Sequence, residues 1–297
     1  MARESGYASP KAFRRALTDK LKGLAAKGKW ELPQLQRQIT YDRLLERLYV
    51  IDKGWVVKGA TALLARDLGV RGTIDIDIFR QVAIEIAERE LREAAALDLG
   101  DWFEFEVGPS QPANDAAKGL RARIKASIGA TVWTSFHVDL VGAEVTMTGT
   151  PDDVPALARV AMPDVSQRGY RVYPLVDHVA DKVAATFDRY GAAAAVSTRY
   201  KDLVDLVAIT SGGSVEAEAQ MKALDSEAQR RGVTLGERFE VPDPDLWVPG
   251  YAAEAKRSLL DIAQSLDEAL AIVRPFLDPA LDGTARGTWN PAALRWE

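Results

Sequence analysis

Asp75 and Asp77 stand in the run Thr73-Ile74-Asp75-Ile76-Asp77-Ile78, which alternates polar and apolar residues. Such alternation predicts a half-buried strand, in which residues two apart share a face and sit roughly 6–7 Å apart. Two carboxylates at that separation are hard oxygen ligands able to share one or two Mg²⁺ ions, and Mg²⁺ held in this way also grips triphosphate oxygens. Without a compensating cation each would oppose the other's ionisation. The isoleucines are expected to fill the opposite face. Taken alone, an Asp-x-Asp pair is more often the solvent side of an amphipathic strand, so its neighbourhood decides.

Upstream, Trp55-Val56-Val57 reads as a short strand, closed by Lys58-Gly59 and followed by the helix-favouring Ala60-Thr61-Ala62-Leu63-Leu64-Ala65. A strand-to-helix turn offers free backbone N–H groups and the positive end of a helix to phosphates. Gly59 permits close backbone approach, and Thr61 or Thr73 is placed to add a hydroxyl donor. Asp139, in Phe136-His137-Val138-Asp139-Leu140-Val141, is the natural third carboxylate on a neighbouring strand. Arg121, Arg123 and Lys125 alternate and share one strand face, which suits an RNA backbone or an ordinary exposed sheet surface. On a helix over 175–189, Val176, Val179, Val183 and Phe187 form the apolar stripe. Lys182 falls on its flank with His178, Ala185 and Arg189, from where it would reach phosphate oxygens. Asp202 shares a helical face with Leu206 and Ile209. It is expected to be partly buried and to need a partner, either Arg199 or Lys201.

The elements that must carry these groups form an α+β pattern. Residues 9–48 read as helical, opened by Ser9-Pro10, with a second helix from Gln34 to Tyr49. After the strand, helix and Asp-x-Asp strand come an amphipathic helix over 81–97 and strands at 102–107, 120–126 and 132–141. A proline-punctuated connection follows, then helices at 175–189, 199–210, 215–231 and 252–273, the last preceded by a loop holding Pro242, Pro244 and Pro249. The expected organisation is an N-terminal helical segment (1–49), a mixed-sheet core (50–150) and a mainly helical C-terminal domain (151–297). Trp289 and Trp296 lie in a tail that either packs back on the body or is loosely held.

Composition narrows the chemistry. The 297 residues contain no cysteine and two histidines, which excludes disulfides, thiolate metal sites and a multi-histidine zinc site. With 47% hydrophobic and 27% charged residues, no uninterrupted apolar stretch of membrane-spanning length and no apolar leader, the chain reads as a reduced, soluble, cytoplasmic protein. The net charge of -5 is uneven: residues 1–49 carry +6, residues 50–150 carry -4 and the remainder -7. A basic N-terminal segment keeps a phosphate-bearing partner open despite the acidic total.

Taken together, the motifs resemble the nucleotidyltransferase-fold superfamily, in which a strand and a Gly-Ser or Gly-Gly turn precede an Asp-x-Asp strand. More closely, Lys58-Gly59-Ala60-Thr61-Ala62-Leu63 with Arg71-Gly72-Thr73-Ile74-Asp75-Ile76-Asp77 is similar to the AbiEii group of toxin nucleotidyltransferases, which includes the mycobacterial MenT toxins. Asp181-Lys182-Val183-Ala184-Ala185 resembles that group's Glu-Lys-x-x-Ala helix. Arg199-Tyr200-Lys201-Asp202-Leu203-Val204-Asp205-Leu206 resembles its Arg-x-Lys-Asp-hydrophobic-x-Asp helix. Ala60 stands where a Gly or Ser is usual, and Thr73 replaces a common serine. The resemblance implies a nucleotidyltransferase-fold core that moves a nucleoside monophosphate from an NTP to the 3′ end of tRNA, blocking aminoacylation, in a toxin paired with a cognate antitoxin. It implies Mg²⁺ on Asp75, Asp77 and Asp139, with Asp139 a ligand or proton acceptor. Lys58, Gly59, Thr61, Arg71, Thr73 and Lys182 would surround the nucleotide, and Asp75, Asp77, Lys182 and Asp202 would act in catalysis. A protein or small-molecule hydroxyl as acceptor, or a binding module of the same fold that has lost activity, are the alternatives.

Overall fold

Ser9 opens the first helix, its hydroxyl accepting from the Ala12 N–H ahead of Pro10 at the first helical position. This helix, α1 (Pro10–Ala25), buries Phe13, Leu17 and Leu21. A Glu31–Gln34 capping box starts α2 (Leu32–Ile51), which buries charged as well as apolar residues. Arg47 is fully buried, donates to both Asp101 oxygens at 2.8 Å and also reaches the Leu97 and Phe103 carbonyls. Arg43 lies 3.6 Å from the same carboxylate. Burial is the main influence on Arg43 and holds its pKa below the usual arginine value, while Asp101, Asp42 and Glu46 work the other way.

The computed structural model describes residues 6–68, 72–113, 119–156, 160, 162, 163, 165–191 and 193–297. Two compact units emerge. The first comprises the chain up to Ala65, Gly72–Thr146 and Asp153–Val172. Its elements after α2 are β1 (Trp55–Lys58), α3 (Gly59–Ala65), β2 (Asp75–Arg80), α4 (Ile84–Ala95), β3 (Phe103–Pro112), β4 (Leu120–Ile128) and β5 (Thr131–Val141). Two short strands, β6 (Asp152–Val154) and β7 (Tyr170–Val172), complete a sheet of order β3-β4-β5-β2-β1-β7-β6. The β2–β5 and β1–β7 pairs are parallel, whereas β1–β2, β4–β5 and β3–β4 are antiparallel. Ile76, Ile78, Val138, Leu140 and Ile124 of the sheet share one core with Leu44 and Leu48 of α2 and Leu91 of α4. Phe13, Leu17 and Leu21 of α1 pack in a second core with Phe103, Ile128 and Trp133 of the sheet, so both N-terminal helices belong with it.

The second unit comprises Tyr173–Glu297 with the short segments Arg66–Arg71 and Met147–Asp152. It holds α5 (Leu175–Phe187), a small pair β8 (Arg189–Tyr190) and β9 (Ala195–Val196), α6 (Tyr200–Gly212), α7 (Ala217–Arg231), α8 (Pro244–Ala255), α9 (Leu266–Leu281), and a terminal pair β10 (Trp289–Asn290) and β11 (Arg295–Trp296). The single helix expected over 252–273 is instead two. Asp243 caps α8 with Pro244 at its first turn, and Ser265 and Glu268 form a capping box that starts α9 afresh. The tail packs back. Trp289 is buried and donates to the Thr210 carbonyl, while Trp296 stacks on Phe276 and donates to its carbonyl. Among the described residues no helix is long and apolar enough to cross a membrane.

Candidate functional site

Parallel pairing of β2 with β5 sets Asp75 beside His137 and Asp77 beside Asp139. Because alternate residues of a strand share a face, Asp75, Asp77, His137 and Asp139 occupy one side while Ile76, Ile78, Val138 and Leu140 enter the core. Ile74 does not join that core: it precedes β2 and is 65% exposed.

Each carboxylate is positioned separately. Gly59 adopts φ +60°, the left-handed region that favours glycine, and an added Cβ would fall 1.9 Å from the Asp77 Oδ2. The glycine therefore serves two ends, turning β1 into α3 and leaving the space that seats the Asp77 carboxylate. Thr61 is fully buried and directs its hydroxyl toward the Asp75 carbonyl at 3.5 Å, and the Thr73 hydroxyl donates to the same carbonyl at 2.8 Å. Both threonine hydroxyls thus face the backbone of Asp75. Lys58 lies opposite Asp77 in the antiparallel β1–β2 register and is mostly buried. Arg71 lies outside the described residues.

Across the acidic face lies Arg121 of β4. It donates to the Asp75 Oδ2 at 2.7 Å and to the Asp139 Oδ2 at 3.2 Å, and His137 Nδ1 is 3.3 Å from the Asp75 Oδ1. Burial works against the Arg121 charge, but Asp139 and Asp75 outweigh it and raise its pKa, so the residue stays a cation. The basic stripe is therefore divided. Arg121 turns into the acidic face, Lys125 pairs with Glu106, and Arg123 is exposed opposite His137. Beneath the face, the Tyr41 hydroxyl is buried and finds no hydrogen-bond partner among the described residues. Burial above all, opposed by Arg37 and reinforced by Asp75 and Asp77, pushes its pKa up. The three carboxylates match Mg²⁺ in donor chemistry, being hard oxygens on one face. Among the described residues, however, no three acidic or imidazole groups are gathered on a metal-binding point.

The second candidate cluster lies within the helical unit. Lys182 is not on an exposed flank: α5 buries Asp177, His178, Ala184 and Ala185 as well as its valines. The Lys182 Nζ donates to Asp205 Oδ2 at 2.6 Å and Asp202 Oδ1 at 3.1 Å, and its side chain is 7% exposed. Burial disfavours the ammonium, yet Asp205 and Asp202 outweigh it and hold the Lys182 pKa above the ordinary lysine value. Asp202 takes a second cation, Arg199, on its other oxygen. Burial would raise the Asp202 pKa, but Lys182 and Arg199 overcome this and lower it. Of the two partners expected for Asp202, the structure supplies Arg199; Lys201 points to solvent. A cavity of about 310 Å³ opens beside this network, lined by Thr198, Arg199, Tyr200, Lys201, Asp202 and Glu254.

Sequence reasoning missed His137, Asp205, Tyr41 and the acidic-face role of Arg121. His137 lies two residues before Asp139, so strand alternation already places it on the same face. Asp205 is the last polar position of the helix motif that contains Asp202. Nothing in the local sequence marks Tyr41, which arrives from α2.

Comparison with known proteins bears on the whole arrangement. The family model for the nucleotidyl transferase AbiEii toxin of type IV toxin–antitoxin systems matches residues 43–286. Among solved structures, the MenT4 nucleotidyltransferase toxin of Mycobacterium tuberculosis superposes with a TM-score of 0.50 at 18% identity, covering 88% of this chain and 99% of that one. JHP933 from Helicobacter pylori superposes with a TM-score of 0.44 at 16% identity, covering 84% of this chain and 90% of that one. No relative is found among curated protein sequences. The mixed sheet with its Asp-x-Asp strand has the nucleotidyltransferase fold, and the chain belongs to the AbiEii family of nucleotidyltransferase toxins of type IV toxin–antitoxin systems.

Proposed function

We propose that the protein transfers a nucleoside monophosphate from an NTP to the 3′ end of tRNA, releasing pyrophosphate and blocking aminoacylation, and that a cognate antitoxin restrains it. The observation that carries this reading is the parallel β2–β5 register, which aligns Asp77, seated against the Gly59 turn, with Asp139 and puts Asp75 on the same face. Asp75 and Asp77 would hold Mg²⁺, with Asp139 the third carboxylate, and the bound metal would supply charge neutralisation for the triphosphate and the leaving group.

The remaining roles belong to the chain itself. Gly59 lets phosphate approach the backbone of the β1–α3 turn, next to Lys58. Thr61 and Thr73 keep Asp75 at its station through the Asp75 carbonyl. In the helical unit, Lys182 supplies fixed positive charge and Asp202 orders it together with Arg199. Arg123, and Lys125 within its exposed pair with Glu106, offer cations to an RNA backbone. The test supplies radiolabelled NTPs and Mg²⁺ to total tRNA, to a protein extract and to small hydroxylated acceptors in parallel. Label should appear on tRNA and be abolished by Asp75→Ala. Transfer retained by that variant would sink the metal assignment, and label on another acceptor would redirect the reading.

A further inference from the structure

Arg121 is the wrong kind of group to share a metal site as a ligand and the right kind to replace its occupant. Its two terminal nitrogens take one oxygen from Asp75 on β2 and one from Asp139 on β5, so a single planar guanidinium spans carboxylates of two adjacent strands. Its own strand, β4, pairs with β5 in a register that puts Arg121 directly opposite Asp139. A divalent cation approaching Asp75 and Asp139 would compete for the same two oxygens and be repelled by the guanidinium charge. Three carboxylates on one sheet face also need a counter-charge when no metal is present. The Arg121 side chain is 41% exposed, so leaving these contacts for solvent requires no opening of the core.

We propose that Arg121 is an internal counter-cation, a positioning residue that holds Asp75 and Asp139 in register while metal is absent and is displaced when a divalent cation binds. The role rests on the reading of Asp75 and Asp77 as the metal site. It sets the apparent metal affinity, because the cation must win these oxygens from an occupant already in place.

Mn²⁺ alone is the probe, titrated calorimetrically and by its electron paramagnetic resonance signal into the full chain, without nucleotide. Four forms are compared: wild type, Arg121→Lys, Arg121→Gln and the double variant Arg121→Gln with Asp77→Asn. Circular dichroism confirms that each is folded. Arg121→Gln should bind Mn²⁺ about two- to fivefold tighter than wild type, the span that a part-exposed bridging guanidinium can impose on a competitor. Arg121→Lys, which keeps the charge but loses the fork, should fall between them, and the double variant should lose the added affinity. Mn²⁺ binding by Arg121→Gln that is equal to or weaker than wild type overturns the counter-cation role. If the double variant binds as Arg121→Gln does, the metal reading itself fails, and the role of Arg121 with it.

Discussion

The two units each set a basic side chain between two carboxylates, and they do so under opposite conditions of burial. In the sheet unit Arg121 bridges Asp75 and Asp139 with 41% of its side chain exposed, while those carboxylates are 24% and 22% exposed. In the helical unit Lys182 bridges Asp202 and Asp205 with 7% exposure, against partners at 8% and 1%. An exposed pair is weak because water competes for both charges, whereas a buried one cannot be broken without stranding charge in a poor solvent. The same charge pattern is therefore exchangeable in one unit and locked in the other. The first suits a site whose cation comes and goes, and the second suits a fixed electrostatic support.

Breaking the locked network should have the largest effect. Lys182→Met removes the ammonium from Asp202 and Asp205 and should cost about 3–5 kcal/mol in a urea unfolding curve. A loss below 1 kcal/mol would place the network among surface-like pairs. Gly59→Ala should leave the fold in place but force the Asp77 carboxylate from its seat. NTP-to-acceptor transfer should fall by roughly a hundredfold, as expected for a misplaced reacting group. An unchanged rate would show that the Gly59 cradle does not set the acidic face.

A pH series sharpens the contrast next. The folded-state pKa of Asp202 is lowered, so its contribution is present above the unfolded carboxylate value near ~3.9 and is lost as pH falls through the folded value. The Lys182 value is raised, so its contribution is present below the unfolded lysine value near ~10.4 and is lost as pH rises through the folded value. Across the neutral range both are in force. Thermal denaturation should show wild type losing stability below about pH 4 more steeply than Asp202→Asn, and parallel acid limbs would remove Asp202 as a cause. The smallest effect belongs to Arg121→Gln, which should change unfolding stability by at most about 1 kcal/mol. A loss as large as that of Lys182→Met would erase the distinction between the units.

Local sequence reads well where the physics is local. Ser9-Pro10 marks the start of α1, the alternation through Asp75 and Asp77 marks β2, and the apolar spacing marks α5 and α6. It fails where a feature depends on what lies across the fold. Periodicity puts Lys182 on a flank, but α5 is covered on nearly all sides, so a residue off the apolar stripe is still buried. The prolines at 244 and 249 read as a loop, although proline at a first turn starts α8 and the second is accommodated within it. Thr61 and Thr73 carry hydroxyls suited to phosphate, and only the fold reveals the carbonyl that claims both. The basic alternation of Arg121, Arg123 and Lys125 is a correct reading of one strand face. Which carboxylates Arg121 and Lys125 meet, and that Arg123 stays exposed, depends on the strands beside them.

The sequence by itself determined the chemical inventory: no thiol, two imidazoles, an Asp-x-Asp strand, a glycine turn ahead of it, and the two helical motifs that tie the chain to its family. These follow from composition and from short-range periodicity, which the backbone geometry of helices and strands imposes wherever the segment lies. Tertiary structure alone decided which charges meet across the fold. The β2–β5 register sets Asp77 beside Asp139, the β4–β5 register delivers Arg121, and the packing of α5 against α6 encloses Lys182 between Asp202 and Asp205. These ion pairs depend on distances between residues 18 to 62 positions apart in the chain, and no local pattern encodes such distances.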